Sequence, residues 1–294
     1  MVLTAPKVGH TALNGPSSNL RRRFAFSTIV LTHVIKLFQN WYVLILIQLG
    51  LVRGKRITLS LRSGVRFEVR TEMRDWYAIA EVWSTCPYLH VGHTIDENAR
   101  VVIDIGAHIG AFSLLAISLS REALVYAYEP NVNNFRLLQR NIELNKGGHA
   151  DRIRPRRAAV WSHRGRGKLF LNSASSEGHS FYPLGGGPVE EVDCVTLSEI
   201  LDSEGVDTCD FLKIDCEGAE YEILASTPST HLHRINRMSI ECHKVPGHSA
   251  ADLASLLGRE GFDVQVIEYP LFSKRFAVYH SAVVLALHRE PDGQ

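Results

Sequence analysis

The chain has 294 residues, 45% hydrophobic and 21% charged, a balance that fits one large α/β domain or two small ones able to bury a core without staples. With 32 Lys and Arg against 31 Asp and Glu the net charge is +1, which argues against a nucleic-acid partner, and the short basic runs at 21–23 and 152–157 read as solvated faces. The five cysteines (Cys86, Cys194, Cys209, Cys216 and Cys242) are odd in number and lack Cys-x-x-Cys spacing. They argue against a disulfide framework or a thiolate zinc site and fit a cytoplasmic protein.

Residues 1 to 20 hold Pro, Gly, Asn and Ser without a period and read as a disordered start. An apolar segment follows at 24–52. Thr28, Thr32, Lys36 and Asn40 draw a polar stripe at helical spacing, and 41–47 is apolar all round. This helix has three readings: packed on the catalytic domain or a second copy, lying on a membrane surface, or spanning a membrane. The last is disfavoured by Lys36, Gln39 and Asn40 at mid-depth, and the late apolar start disfavours a cleaved signal peptide. Membrane association or self-association through 24–52 is thus left open. Residues 1–56 are taken as one region and 57–98 as a second: alternation about a Ser63-Gly64 turn predicts a β-hairpin over 57–69, and Asp75 to Trp83 predicts a helix.

The third region, 99–294, alternates strand and helix. Strands are expected at 101–104, 124–128, 153–160, 211–215, 237–242, 264–267 and 282–287, with helices at 111–120, 133–144, 197–201, 219–226 and 250–260. Such alternation means a mostly parallel sheet covered on both faces.

The strand 101–104 ends in Asp104, and a turn of Ile105-Gly106-Ala107-His108-Ile109-Gly110 opens a helix. Gly106 allows a tight turn with room for a ligand, and Gly110 lets the helix start lie close. Buried βαβ packing without a ligand gives the same pattern. The turn lacks the middle glycine that a pyrophosphate needs, since His108 stands there. Glu129 closes the next strand, where a carboxylate accepts two hydrogen bonds from a ribose diol; a helix N-terminal charge is the alternative.

Phe211-Leu-Lys-Ile-Asp-Cys-Glu-Gly218 interrupts a central strand with Lys213, which needs a carboxylate partner if buried. Asp215 lies at the carboxyl end and Glu217 in the turn. On the next strand Glu241 and His243 share a face, so Asp215, Glu217, Glu241 and His243 form a candidate catalytic rim if the strands are neighbours. A carboxylate or His there takes a proton from an attacking hydroxyl. A divalent metal held by the carboxylates would act as a Lewis acid, but no ligand set is assigned.

These blocks together resemble the FkbM-type family of SAM-dependent methyltransferases. The resemblance rests on Asp104 to Gly110, Ala127-Tyr-Glu-Pro-Asn131, Arg157 to Val160, Val192 to Leu197, Asp210 to Glu220 and Ile240 to His243. It implies a Rossmann-like class I methyltransferase fold, with a seven-stranded mostly parallel sheet whose last strand is antiparallel, here preceded by the hairpin and the N-terminal apolar helix. It implies S-adenosylmethionine as cofactor, held by Asp104, Gly106, Ala107, His108, Gly110, Glu129, Pro130 and Asn131. It also implies O-methylation of a sugar, glycan or natural-product hydroxyl, with Asp215 at the position of a catalytic or metal-binding acid. His108 departs from the family's more frequent Asn. Ser175, Ser176, Glu177, His179 and the Asp75 to Tyr88 segment are candidate acceptor walls. Competing readings are a nicotinamide-dependent oxidoreductase, disfavoured by the missing glycine, and a non-catalytic methyltransferase-fold module.

Overall fold

The computed structural model describes residues 34–73, 75–84, 86–172, 176, 178–183, 187–243, 245–267 and 280–288. The start of the 24–52 segment, Ser175 and Glu177 lie outside the described residues.

After a helical turn at 34–37 come α1 (Tyr42–Gln48), the hairpin β1 (Arg56–Ser60) and β2 (Arg66–Arg70), and α2 (Asp75–Ser84). The catalytic half continues as β3 (Val101–Ile105), α3 (Ala111–Leu119), β4 (Leu124–Tyr128), α4 (Val132–Leu144), β5 (Ile153–Arg156), β6 (Ala159–Val160), β7 (Gly165–Phe170) and β8 (Val189–Val195). It closes with α5 (Leu197–Ser203), β9 (Phe211–Ile214), α6 (Glu220–Ala225), α7 (Ser229–Leu232), β10 (Arg237–His243), α8 (Ala250–Arg259), β11 (Phe262–Ile267) and β12 (His280–His288).

Seven strands form one sheet in the order β11-β12-β10-β9-β3-β4-β5. Only β12 runs against its neighbours, antiparallel to both β10 and β11. Alternation along each strand divides the core. Val102, Val125 and Phe211 face one apolar layer with α3, α4 and the hairpin, while Ile103, Tyr126 and Leu212 face the other with α5, α6 and α8. Each side chain so buried contributes about 1.5–3 kcal/mol. The strand order reverses between β3 and β9, so their carboxyl ends open a crevice where ligands of such sheets bind.

The described part of the apolar segment packs on the domain. Val34, Phe38 and Leu44 join the first layer with Leu59 and Leu61. The predicted continuous helix is interrupted: Phe38 bridges Leu61, and Asn40 accepts from the Ser60 backbone at 3.0 Å and donates to the Thr58 carbonyl at 2.9 Å. Asn40 therefore serves the edge of β1. Among the described residues no helix is long and apolar enough to cross a membrane. Tyr42, Ile45, Leu46, Leu49 and Leu51 remain exposed.

Two differences from the expected strands matter for the site. The single strand over 153–160 is two: β5 pairs with β4 in the main sheet, and β6 pairs with β8 in a separate sheet of order β6-β8-β7. Pro155 sits on β5, an edge strand where its missing N–H is tolerated, and the chain leaves the main sheet just after. The small sheet itself is absent from the sequence reading. Only Leu169, Val192, Cys194 and Ala159 face its core, and Arg166, Lys168, Glu190, Glu191 and Asp193 mask the alternation.

Candidate active site

The turn after β3 is set by packing. Gly106 has φ of 76°, and a Cβ there would fall 1.7 Å from the Asp215 carbonyl oxygen. Gly110, at φ of 89°, begins α3, and a Cβ would meet Leu138 Cδ1 at 2.7 Å. The end of β9 and α4 therefore approach these two glycines closely on the side where a Cβ would stand. The turn nevertheless presents its backbone: Gly106 N–H and Ala107 N–H donate to the Tyr128 carbonyl at 3.0 and 2.9 Å, and this brings the end of β4 alongside.

Glu129 leaves that strand end. Its two carboxylate oxygens accept from the His108 and Asn131 backbone N–H groups, each at 2.9 Å. Burial pushes its pKa up to about 7 against the pull of these bonds. It faces an open cavity whose other walls include Gly106, Pro130, Ala158, Val160 and His179. Ala158 to Val160 reach this wall because the chain switches sheets there.

His108 adopts a left-handed φ of 51° and, with burial lowering its pKa to about 4, is neutral. Its Nε2 meets Ser176 Oγ at 2.9 Å, and Ser176 donates to Asp75 Oδ1 at 2.6 Å. The carbonyl of Ser176 accepts from Asn134 Nδ2 at 2.9 Å. Burial opposes the charge of Asp75, but the hydrogen bonds from Arg70 outweigh it and hold the carboxyl below its ordinary range. The hairpin, α2, α4 and the residues around 176 are thereby tied together beside the cavity.

Lys213 is fully enclosed. Its Nζ lies 3.2 Å from Asp104 Oδ1 and 3.6 Å from Asp215 Oδ2, and donates to the Gly106 carbonyl at 2.8 Å. Burial disfavours the ammonium, and Asp104 and Asp215 override it and raise its pKa above the usual value. Asp104 also accepts from Ser113 Oγ at 2.6 Å and is wholly buried. It lines neither cavity and acts by holding Lys213 against the turn.

A second cavity lies across Gly106, between α2 and the ends of β9 and β10. Glu81, Tyr88, Phe112, Lys213, Asp215 and Glu241 face it. Both cavities are lined by Gly106, His108, Asp215 and Glu217. Glu217 adopts a left-handed φ of 57° in the turn after β9, so it is not a charge on the first turn of α6. That place belongs to Glu220, whose Oε1 accepts from Gly218 N–H at 3.0 Å and contacts His243 Nδ1 at 2.8 Å.

The four residues of the expected catalytic rim do come together, in two roles. Asp215, Glu217 and Glu241 face the second cavity, whereas His243 lines neither. His243 Nε2 is 3.3 Å from Glu217 Oε2 and 3.8 Å from Asp215 Oδ1. Burial alone would lower its pKa, but Glu217, Glu220 and Glu241 hold it well above the ordinary value. The surrounding carboxylates favour its charged form, which opposes a role as proton acceptor. Of the expected cofactor contacts, Ala107 faces the second cavity. Asn131 caps α4, accepting from Asn133 and Asn134 N–H groups at 3.1 and 3.0 Å, and donates to Glu190 Oε2 at 2.9 Å. Tyr88 and Glu81 carry no spacing signal in the sequence beyond their place in a candidate wall.

Asp215, Glu241 and His243 offer ligand atoms within 4.8 Å of one another. The residues as packed do not fit a divalent ion. The Tyr88 hydroxyl bridges Asp215 and Glu241, Lys213 already supplies a positive charge beside Asp215, and His243 Nδ1 is taken by Glu220.

The seven-strand order with one reversed strand, and a crevice bounded by a glycine turn and a strand-end acid, define a class I methyltransferase fold. The chain belongs to the FkbM methyltransferase family: it matches the Methyltransferase FkbM domain over residues 104–264. It is 27% identical to 31-O-demethyl-FK506 methyltransferase FkbM of Streptomyces tacrolimicus, over 74% of this chain and 92% of that one. It is 23% identical to methyltransferase sdnD of Sordaria araneosa, over 67% and 88%. The solved methyltransferase FkbM of Methylobacillus flagellatus is 17% identical, with a TM-score of 0.48 over 73% of this chain; the match spans 56% of the other's length.

Proposed function

We propose that this methyltransferase uses S-adenosylmethionine to methylate a hydroxyl of a sugar, glycan or natural-product acceptor. The observation that carries the reading is the seam at Asp215, where the cavity beside Glu129 meets a second one ringed by carboxylates. The cofactor, when bound, supplies an electrophilic methyl group. The residues present suit it: Glu129 offers two oxygens to a ribose diol, and neutral His108 and His179 leave the wall without competing cations.

The chain's own work is then to bind, orient and accept a proton. Asp215 stands at the seam, within reach of both cavities, and is the group that takes the hydroxyl proton. Lys213 fixes the Asp215 carboxylate against the glycine turn, so the acceptor oxygen meets a preplaced base. Phe112, Val82 and Ala78 give the second cavity an apolar wall that excludes water from the reacting oxygen.

The test offers the protein methyl-labelled S-adenosylmethionine and a panel of sugar, glycan and polyketide alcohols, with product mass as the readout. A gain of one methyl on oxygen supports the reading; transfer to nitrogen or carbon only, or no cofactor binding by calorimetry, overturns it. We further propose that the exposed Tyr42, Ile45, Leu46, Leu49 and Leu51, followed by exposed Arg53, Lys55 and Arg56, rest on an anionic membrane surface. Liposome flotation that persists after Leu49 and Leu51 are made serine would refute this.

A further inference from the structure

Tyr88 comes from the segment between α2 and β3, outside the residues that match the family. It is nonetheless buried in the second cavity, 6% exposed, with its ring edge-on to Phe112 and 5.1 Å from Lys213 Nζ. Its hydroxyl lies 2.7 Å from Asp215 Oδ2 and 3.0 Å from Glu241 Oε2. A phenol has one proton and cannot donate to both carboxylates at once. The two acids, on different strands, are therefore joined through a single movable hydrogen.

We propose that Tyr88 is a positioning residue that relays the acceptor's proton from Asp215 to Glu241, so that the base is the pair of carboxylates and not Asp215 alone; this rests on the reading of Asp215 as proton acceptor. The proton leaves the acceptor oxygen as that oxygen gains its methyl group, and arrives on Asp215 Oδ2. In one concerted step the Asp215 proton passes to Tyr88 Oη while the proton that Tyr88 carried passes to Glu241 Oε2, so that Asp215 is again a carboxylate and Glu241 a carboxylic acid. No charge is created on the phenol, and the proton ends one residue further from the reacting centre. Among the described residues, the other charged groups around the pair include Lys213 and Asp104, Glu217, Glu220 and His243, and Glu81 of α2 across the cavity. Lys213 and His243 are held as cations by their own carboxylates, which leaves the Asp215–Tyr88–Glu241 chain as the route for a mobile proton.

The first test needs no acceptor. In full-length protein labelled with 13Cζ-tyrosine, the Tyr88 resonance is assigned by its loss in Tyr88→Phe and followed with pH. The relay predicts that it shifts as the carboxylates gain a proton, and that Asp215→Asn and Glu241→Gln each move or abolish that inflection. A flat resonance, or one indifferent to both substitutions, overturns the relay. The second test uses an acceptor found in the alcohol panel. Tyr88→Phe lowers kcat roughly 10- to 100-fold, the worth of one hydrogen bond to a charged group, with the cofactor KM unchanged. Combined with Glu241→Gln it is no worse than either alone. Wild-type kcat in Tyr88→Phe, or additive losses, overturns the relay. Calorimetry of cofactor binding by Tyr88→Phe checks that the fold is intact. If no alcohol is methylated, the proposed function fails, while the resonance still decides the bridge.

Discussion

The two cavities share Gly106 and Asp215 yet are built from opposite materials. Away from the shared Gly106, His108, Asp215 and Glu217, the cavity beside Glu129 is walled by backbone, small side chains and weakly charged groups: burial lowers the pKa of His179 to about 4 and raises that of Glu129 to about 7. The other adds Lys213, Glu81 and Glu241, with Lys213 held charged by Asp104 and Asp215 and with His243 behind the carboxylates, outside its wall. A surface of backbone and neutral groups suits a ligand recognised by shape and hydrogen bonds. A surface of fixed charge suits the place where a proton is released. The difference argues for binding on one side and chemistry on the other, with Asp215 at the seam between them.

The largest effect belongs to the ionic side. Asp215→Asn is expected to lower turnover roughly 10²–10⁴-fold while calorimetry finds cofactor affinity nearly unchanged. Equal losses of both would erase the division. Lys213→Met comes next. It leaves the buried Asp104 and the half-buried Asp215 without their shared cation, at a cost of about 3–5 kcal/mol in urea unfolding, most of it from Asp104. A milder loss would mean that water or relaxation already solvates the pair.

That ionic side is also where the sequence was least informative. The sheet was legible because its strands are short apolar runs ended by Asp104, Glu129 and Asp215, and a buried Lys213 demanded an acid. The rim was legible because β9 and β10 are adjacent, which puts Ser239 opposite Lys213 and Glu241 just beyond the strand end. Tyr88 was not: nothing in spacing says that a residue after α2 crosses to strands lying far along the chain. His243 was read as a base because its type permits it. Its charge state depends on Glu217 in a left-handed turn and on Glu220, neither fixed by periodicity. Gly106 was singled out for room beside a ligand; it lines both cavities, and the close approach of the Asp215 carbonyl is a second reason for glycine that spacing does not reveal.

On the binding side, Glu129→Gln replaces a carboxylate that a diol would contact and is expected to weaken the cofactor by roughly 10- to 100-fold. The wild type carries its own pH signature. Because the folded pKa of Glu129 is raised to about 7 from 4.5, the folded chain holds a proton that the unfolded chain has lost. Ligand-free stability therefore falls as pH rises between about 4.5 and 7, while affinity for a diol that needs the carboxylate rises over the same range. Calorimetry across that window should show the rise in wild type and none in Glu129→Gln. Parallel pH curves for the two proteins would remove Glu129 from the ribose site.

The smallest effect sharpens the boundary of the binding side at Asn131. Its side chain is spent on the first turn of α4 and on Glu190, so Asn131→Ala should cost about 1 kcal/mol of stability, the worth of a helix cap. Asn131→Ser keeps a capping oxygen and should restore most of that loss, though it forfeits the bond to Glu190. Cofactor affinity then follows stability only through Glu129, whose Oε1 is held by the Asn131 backbone N–H, a bond that either substitution leaves in place. If Asn131→Ser recovers stability but not cofactor affinity, the side chain touches the ligand directly, and the wall of the cavity beside Glu129 extends past Pro130 to the start of α4.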